Sequence, residues 1–462
     1  MGDVGLYNVV VMGIAFLCMF GAFQTSTFIE ATVLHSDAKL GNGDRIAFVS
    51  VSIIYFVFAF ANSFAPALVS LLGSKYGMFF GAIPYCLFIG CIIYPIVPVL
   101  FACSALLGIG AAVLWTAQGE FLTSNSTEET MSRNTGIFWA LLQSSLVVGN
   151  GAVYFVMGDA STISDRLRTK LYGILTCACT LGTLLLLILR KPPQLRKDYS
   201  LSLSTSGQSS SERPSPIKAI GSMLKLLRTK DMLLLAVCFS YTGLELTFFS
   251  GVYGTMIGNM ADVNSTVSVA GEALLSDYTN GVFKKNQILL AGILVGVGEI
   301  LGGLVFGILG KRTIKYGRDP IVVAGLVIHV ATYYIIYLNM LPRTPFDQVG
   351  FQDLVADHDR LWRPSVPVAL FCAFSLGLGD SLFNTQMYGI ISALYSDDSA
   401  PAFSLFKFFQ SFFAGIAFIY TSYIVLRYQL MILTITGIMG TYCFVTVEWS
   451  LKHRQDGYRA IQ

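Results

Sequence analysis

The hydrophobic positions of this chain fall in long unbroken runs, without the two-residue alternation of a half-buried strand or the narrow stripe of a surface helix. Apolar windows cover residues 6–30, 46–72, 77–97, 99–124, 133–157, 169–190, 231–258, 286–310, 319–341, 364–395, 401–426 and 427–451. About 20 residues rising 1.5 Å each cross a hydrocarbon core of roughly 30 Å. The pattern therefore predicts twelve membrane-spanning helices, called spans 1 to 12 in chain order. The runs are too long for the strands of a membrane barrel. Span 1 follows directly on Asp3, with no basic leader and no clear cleavage site, so it reads as a retained helix and not a signal peptide.

Composition sharpens this picture. Of the 462 residues 54% are hydrophobic and only 12% charged, against about 25% charged in a soluble domain. Mean hydropathy is +0.65. The bilayer is thus an obligatory partner, while a net charge of +3 gives no footing for a nucleic-acid partner. All nine cysteines lie inside apolar runs and make no disulfide framework. Cys177 and Cys179 are too close for the usual zinc pair. His358 stands among Asp353, Asp357 and Asp359 in a spacing that matches no metal motif, and no Ser, Cys or Thr sits beside a base in a recognisable order. No catalytic residue, metal or cofactor is expected, and the chain does not read as an enzyme.

Polar segments divide the chain into 1–190, 191–230, 231–451 and a tail 452–462. Ser200–Ser211 is serine-rich. After it Ile217, Ile220, Met223, Leu224 and Leu227 recur at helical spacing among Lys218, Lys225 and Arg228. They form either a basic amphipathic helix on the inner leaflet or a plain charged linker. The basic 191–230 stretch and the loop with Lys311, Arg312, Lys315 and Arg318 favour cytoplasmic termini. That orientation puts Asn264-Ser265-Thr266 outside as a glycosylation acceptor and Asn125-Ser126-Thr127 inside, unmodified. Plasma membrane and endolysosomal membrane remain equally open.

The two sets of six spans carry traces of a repeat. Gly108-x-Gly110 with Thr116 matches Gly377-x-Gly379 with Thr385 at the same spacing. Gln143-Ser144 of span 5 corresponds to Gln410-Ser411 of span 11, and Asn62 of span 2 to Glu299 of span 8. Two parallel six-helix halves are the plan of the major facilitator superfamily. The expected fold is an all-α polytopic bundle of twelve transmembrane helices in two pseudo-symmetric halves.

The wording of several segments goes further. Gly21-Ala-Phe-Gln-Thr25, Leu114-Trp-Thr-Ala-Gln-Gly119, Gly136–Ser145, Tyr241–Thr255, Gly377–Gln386 and Tyr395–Phe403 resemble the uncoordinated-93-like branch of that superfamily. The resemblance covers nearly the whole chain apart from the linker and the loops 259–285 and 342–363. It implies the transporter fold, with a central cavity lined by spans 1, 2, 4, 5, 7, 8, 10 and 11. It also implies that some members regulate potassium channels or escort receptors without proven transport. The usual superfamily loop after span 2, Gly-x-x-x-Asp-Arg-x-Gly-Arg-Lys, is reduced here to Gly73-Ser-Lys75-Tyr-Gly77 and has lost its acid. That loop normally helps to latch the halves, so its loss bears on ordinary alternating access.

Polar residues inside the runs supply the candidate chemistry. Glu245 lies some fourteen residues in from Asp231, roughly 20 Å along the axis, deep in span 7. Glu299, Asp380 and Lys407 fall in spans 8, 10 and 11, and Gln24, Asn62, Gln118 and Gln143 in spans 1, 2, 4 and 5. Ionisable groups within spans normally face the bundle interior. Spans 3, 6, 9 and 12 carry few such groups, His329 being the notable exception. A bare carboxylate in a low-dielectric site is costly, which makes Glu245 and Glu299 candidate proton sites, joined by Asp380. Equally, each acid could hold helices together. Asp380 and Lys407 either pair across spans 10 and 11, or Lys407 snorkels to the interface. Trp115, Trp139, Tyr241 and Phe138 either stack on a solute, with Asn384 also around it, or are ordinary helix packing. The glycines around Glu299 read as helix-packing surface.

Two functions fit. One is a secondary carrier of a small polar or amphipathic solute with a coupling proton; the other is a non-transporting partner of another membrane protein.

Overall fold

The computed structural model describes residues 2–35, 43–157, 164–192, 216–254, 256–257, 287, 289–305, 317–340, 365–421 and 423–461. They are helical, and helix occurs in every window expected to span. Spans 1 and 2 are Gly2–His35 and the broken pair Gly43–Ala61 and Ala65–Leu72. Spans 3 to 6 are Ser74–Cys91, Val97–Ser124, Glu128–Met157 and Asp165–Leu185. A linker helix, Pro216–Leu227, precedes span 7, which runs Lys230–Thr247 and continues as a π-helical segment Phe248–Tyr253. Span 8 contains helix Leu289–Val305. Spans 9 to 12 are Asp319–Asn339, Val366–Leu394, Ser399–Thr421 and Leu426–Ile461.

Among the described residues nine helices are long and apolar enough to cross a membrane alone, and the broken pair of span 2 makes a tenth. Ser74–Cys91 is not among them, and Leu289–Val305 is a shorter apolar helix. The last helix runs on past the expected end of span 12 to Ile461.

Local chemistry sets the helix ends. Proline stands in the first turn of spans 4, 9 and 10, where its missing N–H costs nothing. Ser164 and Thr229 cap spans 6 and 7 by accepting from the backbone N–H groups of Leu167 and Met232. Span 2 bends by 71° at residues 62–64. Asn62 sits at this break and donates its side-chain amide to Phe58 O at 2.7 Å, and Pro66 opens the second segment.

The repeat seen in the sequence has a spatial counterpart. Span 1 packs on spans 5 and 6, and span 7 on spans 11 and 12; spans 3 and 4 adjoin, as do 9 and 10; spans 3 and 6 adjoin, as do 9 and 12. The paired glycine motifs explain part of this. Gly108 lets span 4 approach the backbone of span 2 at Ile54 and Phe58, while Gly110 meets Gly81 and Pro84 of span 3. Gly377 lets span 10 approach Val295 of span 8, while Gly379 meets His329 of span 9. In both cases a Cβ would collide with the neighbour, so the close approach requires glycine.

The two sets of spans meet through span 2 with span 11, span 4 with span 11, and span 5 with span 10. Span 5 also meets span 8, where Gly296 and Gly303 lie on Leu146 and Ala140. At the linker end this contact is tight. Phe403 covers Gly119, Thr123 Oγ1 bonds Ser392 Oγ at 2.9 Å, and Ser404 donates to the carbonyl of Asn62.

The linker forms a helix, and that helix docks on the protein. It packs against Ala65–Leu72 and span 11, with Met223 and Leu226 buried. Ile217 and Leu224, expected on the same apolar face, are exposed.

Candidate functional site

Three carboxylates from three helices converge inside the second set of spans. Glu245 of span 7 and Glu299 of span 8 are 0% exposed, and Asp380 of span 10 is 2% exposed. Asp380 lies within hydrogen-bonding reach of both glutamates. Small residues permit this convergence. Gly298, next to Glu299, rests on the backbone of Phe374 and Leu378, Gly302 rests on Ser381, and Gly243, two residues before Glu245, rests on the backbone of Gln410. Among the described residues no donor makes a hydrogen bond of ordinary geometry to either oxygen of Glu245 or Glu299. Three acids thus stand together with little to neutralise them.

The cation in this neighbourhood is Lys407 of span 11, 5% exposed. It does not snorkel, and its hydrogen bond does not go to Asp380. Lys407 Nζ donates to Gln410 Oε1 at 2.7 Å, Gln410 Nε2 donates to Asn384 Oδ1 at 3.4 Å, and Asn384 Nδ2 donates to Asp380 Oδ1 at 2.7 Å. Two amides therefore carry the connection between ammonium and carboxylate. Both simpler expectations, a direct pair and a snorkelling lysine, give way to this relay. The physical reason is length: Lys407 and Asp380 sit on adjoining helices at levels that Gln410 and Asn384, one turn along each helix, can bridge.

His329 of span 9 belongs to the same region although its span was expected to be peripheral. It is fully buried. Its Nδ1 faces the Tyr241 hydroxyl at 2.5 Å, and Tyr241 in turn lies 3.1 Å from the Tyr333 hydroxyl. Its Nε2 lies 3.2 Å from the Leu376 carbonyl and 3.3 Å from Glu245 Oε1. The available signal was a lone histidine in an apolar span whose place in the repeat faces Gly379. Tyr241, expected to line a cavity, is directed toward spans 9, 10 and 12, where it meets His329, Phe383 and Gly437.

The first set of spans contributes the opposite wall. Trp139 and Gln143 of span 5 approach Glu299. Gln118 of span 4 accepts from the Tyr388 hydroxyl at 3.0 Å, and its Nε2 has no partner among the described residues. Trp115 of span 4 lies beneath the Lys407 ammonium, 4.5 Å from ring centroid to Nζ. Gln24 and Asn62 are set apart from the acids. Gln24 Oε1 accepts from Ser145, and Asn62 belongs to the bend of span 2 and its contact with Ser404. Asn264 lies outside the described residues. No group of three or more His, Cys, Asp and Glu side chains among the described residues is arranged to hold a metal.

A family model described as "Ion channel regulatory protein UNC-93" matches residues 44–445. The chain belongs to the UNC-93 family. Among its relatives is the UNC93-like protein MFSD11 of Xenopus laevis, 42% identical over 458 residues and covering 97% of each chain. The human protein unc-93 homolog A is 23% identical and covers 93% of this chain and 90% of its own. In fold the chain resembles the Escherichia coli fucose:proton symporter FucP, with a TM-score of 0.59 at 13% identity, covering 98% of this chain and 99% of that one. It also resembles the nucleoside transporter NupG, with a TM-score of 0.54 at 12% identity over 96% and 99% of the two chains. The fold is therefore the major facilitator fold of a multi-pass membrane protein, and this UNC-93 relative carries its acids within that frame.

Proposed function

We propose that this protein is a secondary carrier of a small polar or amphipathic solute, with proton movement coupled through Glu245, Glu299 and Asp380. The observation that carries the reading is the charge imbalance of the buried cluster, three carboxylates against the Lys407 ammonium. Burying charge without a counter-charge is strongly unfavourable, so protons or a bound cation must complete the site. A structural acid cluster would be better served by full pairing. Trp139 and Gln143 approach Glu299 from the other set of spans, so movement of the sets against each other alters the environment of the acids. In this reading segments 1–190 and 231–451 act as two rocking halves joined by 191–230, around a site near the bilayer midplane. Both termini are cytoplasmic, the membrane is the plasma or endolysosomal one, and no covalent chemistry is involved.

The test is uptake from a broad solute mixture into proteoliposomes holding the full chain, with and without Glu245→Gln. Flux that disappears in the variant supports the carrier.

A second reading has support of its own: a non-transporting regulator or escort of a channel or receptor. The latch loop after span 2 lacks its acid, and Lys75 in it donates to Leu189 O at 2.8 Å, inside its own set of spans. A silent uptake screen, together with one membrane protein that co-purifies in fixed proportion, would favour this reading.

A further inference from the structure

We propose that the space held by the Lys407 ammonium is a binding site for a small organic cation, a protonated or quaternary amine, and that Lys407 is its built-in competitor. The proposal deepens the carrier reading, since it names the ligand class of the same site.

The geometry is that of a cation cage. Lys407 Nζ lies 4.5 Å from the ring centroid of Trp115, 4.5 Å from that of Phe406 and 5.8 Å from that of Tyr388. A cation within about 6 Å of an aromatic face is attracted by the ring quadrupole, most strongly when water is excluded. The rings are held in place independently of the lysine. Trp115 packs against Phe16 and Phe20, at 5.6 and 5.0 Å between centroids. Tyr388 is fixed by its hydroxyl on Gln118 and by Phe403 at 5.0 Å. Trp115 comes from span 4 and the other two rings from spans 10 and 11, so the cage is closed only when the two sets of spans meet.

Charge decides the sign of the ligand. Glu245, Glu299 and Asp380 outnumber Lys407, so an arriving anion would add to an existing excess and an arriving cation would relieve it. The lysine is a movable occupant. Among the described residues its hydrogen bond goes to Gln410, its stem has four flexible carbons, and three rings lie near the ammonium. A free amine can take the same place once the stem swings aside.

The test is equilibrium binding to the purified full chain in lipid nanodiscs, read by intrinsic tryptophan fluorescence. The probes are tetramethylammonium, the uncharged tert-butanol and the anion acetate. Saturable quenching by tetramethylammonium alone is expected, about tenfold tighter in Lys407→Met and lost in Phe406→Leu and Tyr388→Leu, which keep the Trp115 reporter. If Lys407→Met does not fold, the ring variants in the native background decide the matter. An equal response to tert-butanol, tighter binding of acetate, no response in either native protein or Lys407→Met, or unchanged affinity in the ring variants would overturn the proposal. Binding needs no flux, so the two readings separate. Cation binding without transport of any solute removes the carrier and leaves the cage. Flux of a neutral solute that tetramethylammonium leaves untouched does the reverse.

Discussion

Lys407 and Asp380 are opposite charges on neighbouring helices that communicate through two amides, those of Gln410 and Asn384. An amide chain of this kind is directional but reversible: each amide can turn to present oxygen where it presented nitrogen. Exchanging the charges, Asp380→Lys with Lys407→Asp, is therefore expected to restore the expression lost in either single change, where breaking the link costs about 3–5 kcal/mol. The same exchange in an Asn384→Leu or Gln410→Leu background should give no rescue. Yield of monodisperse protein by gel filtration measures this; rescue that persists without the amides would show that the charges meet directly.

Glycine placement gives a second prediction. A Cβ at Gly298 would run into the carbonyl of Phe374, and one at Gly377 into the backbone of Val295. Alanine at either position should lower stability by about 1–3 kcal/mol, because backbone on both sides leaves no side chain to yield. A methyl group at Gly221 of the linker helix would point into open space, with nothing within 4 Å. Gly221→Ala should therefore be neutral or stabilising by about 0.4–1 kcal/mol. Thermal melting of the three variants in one detergent checks the contrast.

These elements show what a sequence yields and what it withholds. Runs of twenty apolar residues, the polar linker and the paired Gly-x-Gly motifs made the fold legible, because span length and small-residue spacing are local properties. The acids were legible for the same reason, since charge in an apolar run stands out. The amide relay was not, because it depends on the relative heights of spans 10 and 11. Nor was the direction of Tyr241 toward spans 9, 10 and 12, because a helix apolar on every side shows no preferred face. His329 was visible as an exception, but its link to Glu245 requires span 9 to pack on Gly379. In the linker helix, Met223 and Leu226 face the protein while Ile217 and Leu224 are left outside, a division that a single apolar stripe does not reveal.

A third prediction concerns this buried network. Tyr241→Phe removes a hydroxyl placed between His329 and Tyr333. It should destabilise the protein by about 1–3 kcal/mol, the cost of leaving a buried ring nitrogen without its partner. His329→Phe takes the ring nitrogens away from the Tyr241 hydroxyl, the Leu376 carbonyl and Glu245, leaves those groups buried, and should cost at least as much. A melting series with the double variant tests this: single losses that simply add would argue against a shared network.

The closed linker end supplies a fourth. Thr123 and Ser392 are in hydrogen-bond contact between span 4 and span 10. Cysteines at these two positions, in a background without the native cysteines, should cross-link readily and stop any transport until a reductant is added. Unimpaired flux in the cross-linked protein would mean that this end does not open during the cycle.

The central claim is that Glu245, Glu299 and Asp380 form one charge-deficient site, completed by protons, that senses the other set of spans. The most direct measurement is solute uptake into proteoliposomes under an imposed pH gradient, for native protein and for Glu245→Gln, Glu299→Gln and Asp380→Asn. The account predicts that the gradient drives native uptake and that each neutral substitution abolishes the drive while leaving folded protein. Gradient-driven uptake that survives in all three variants would contradict it.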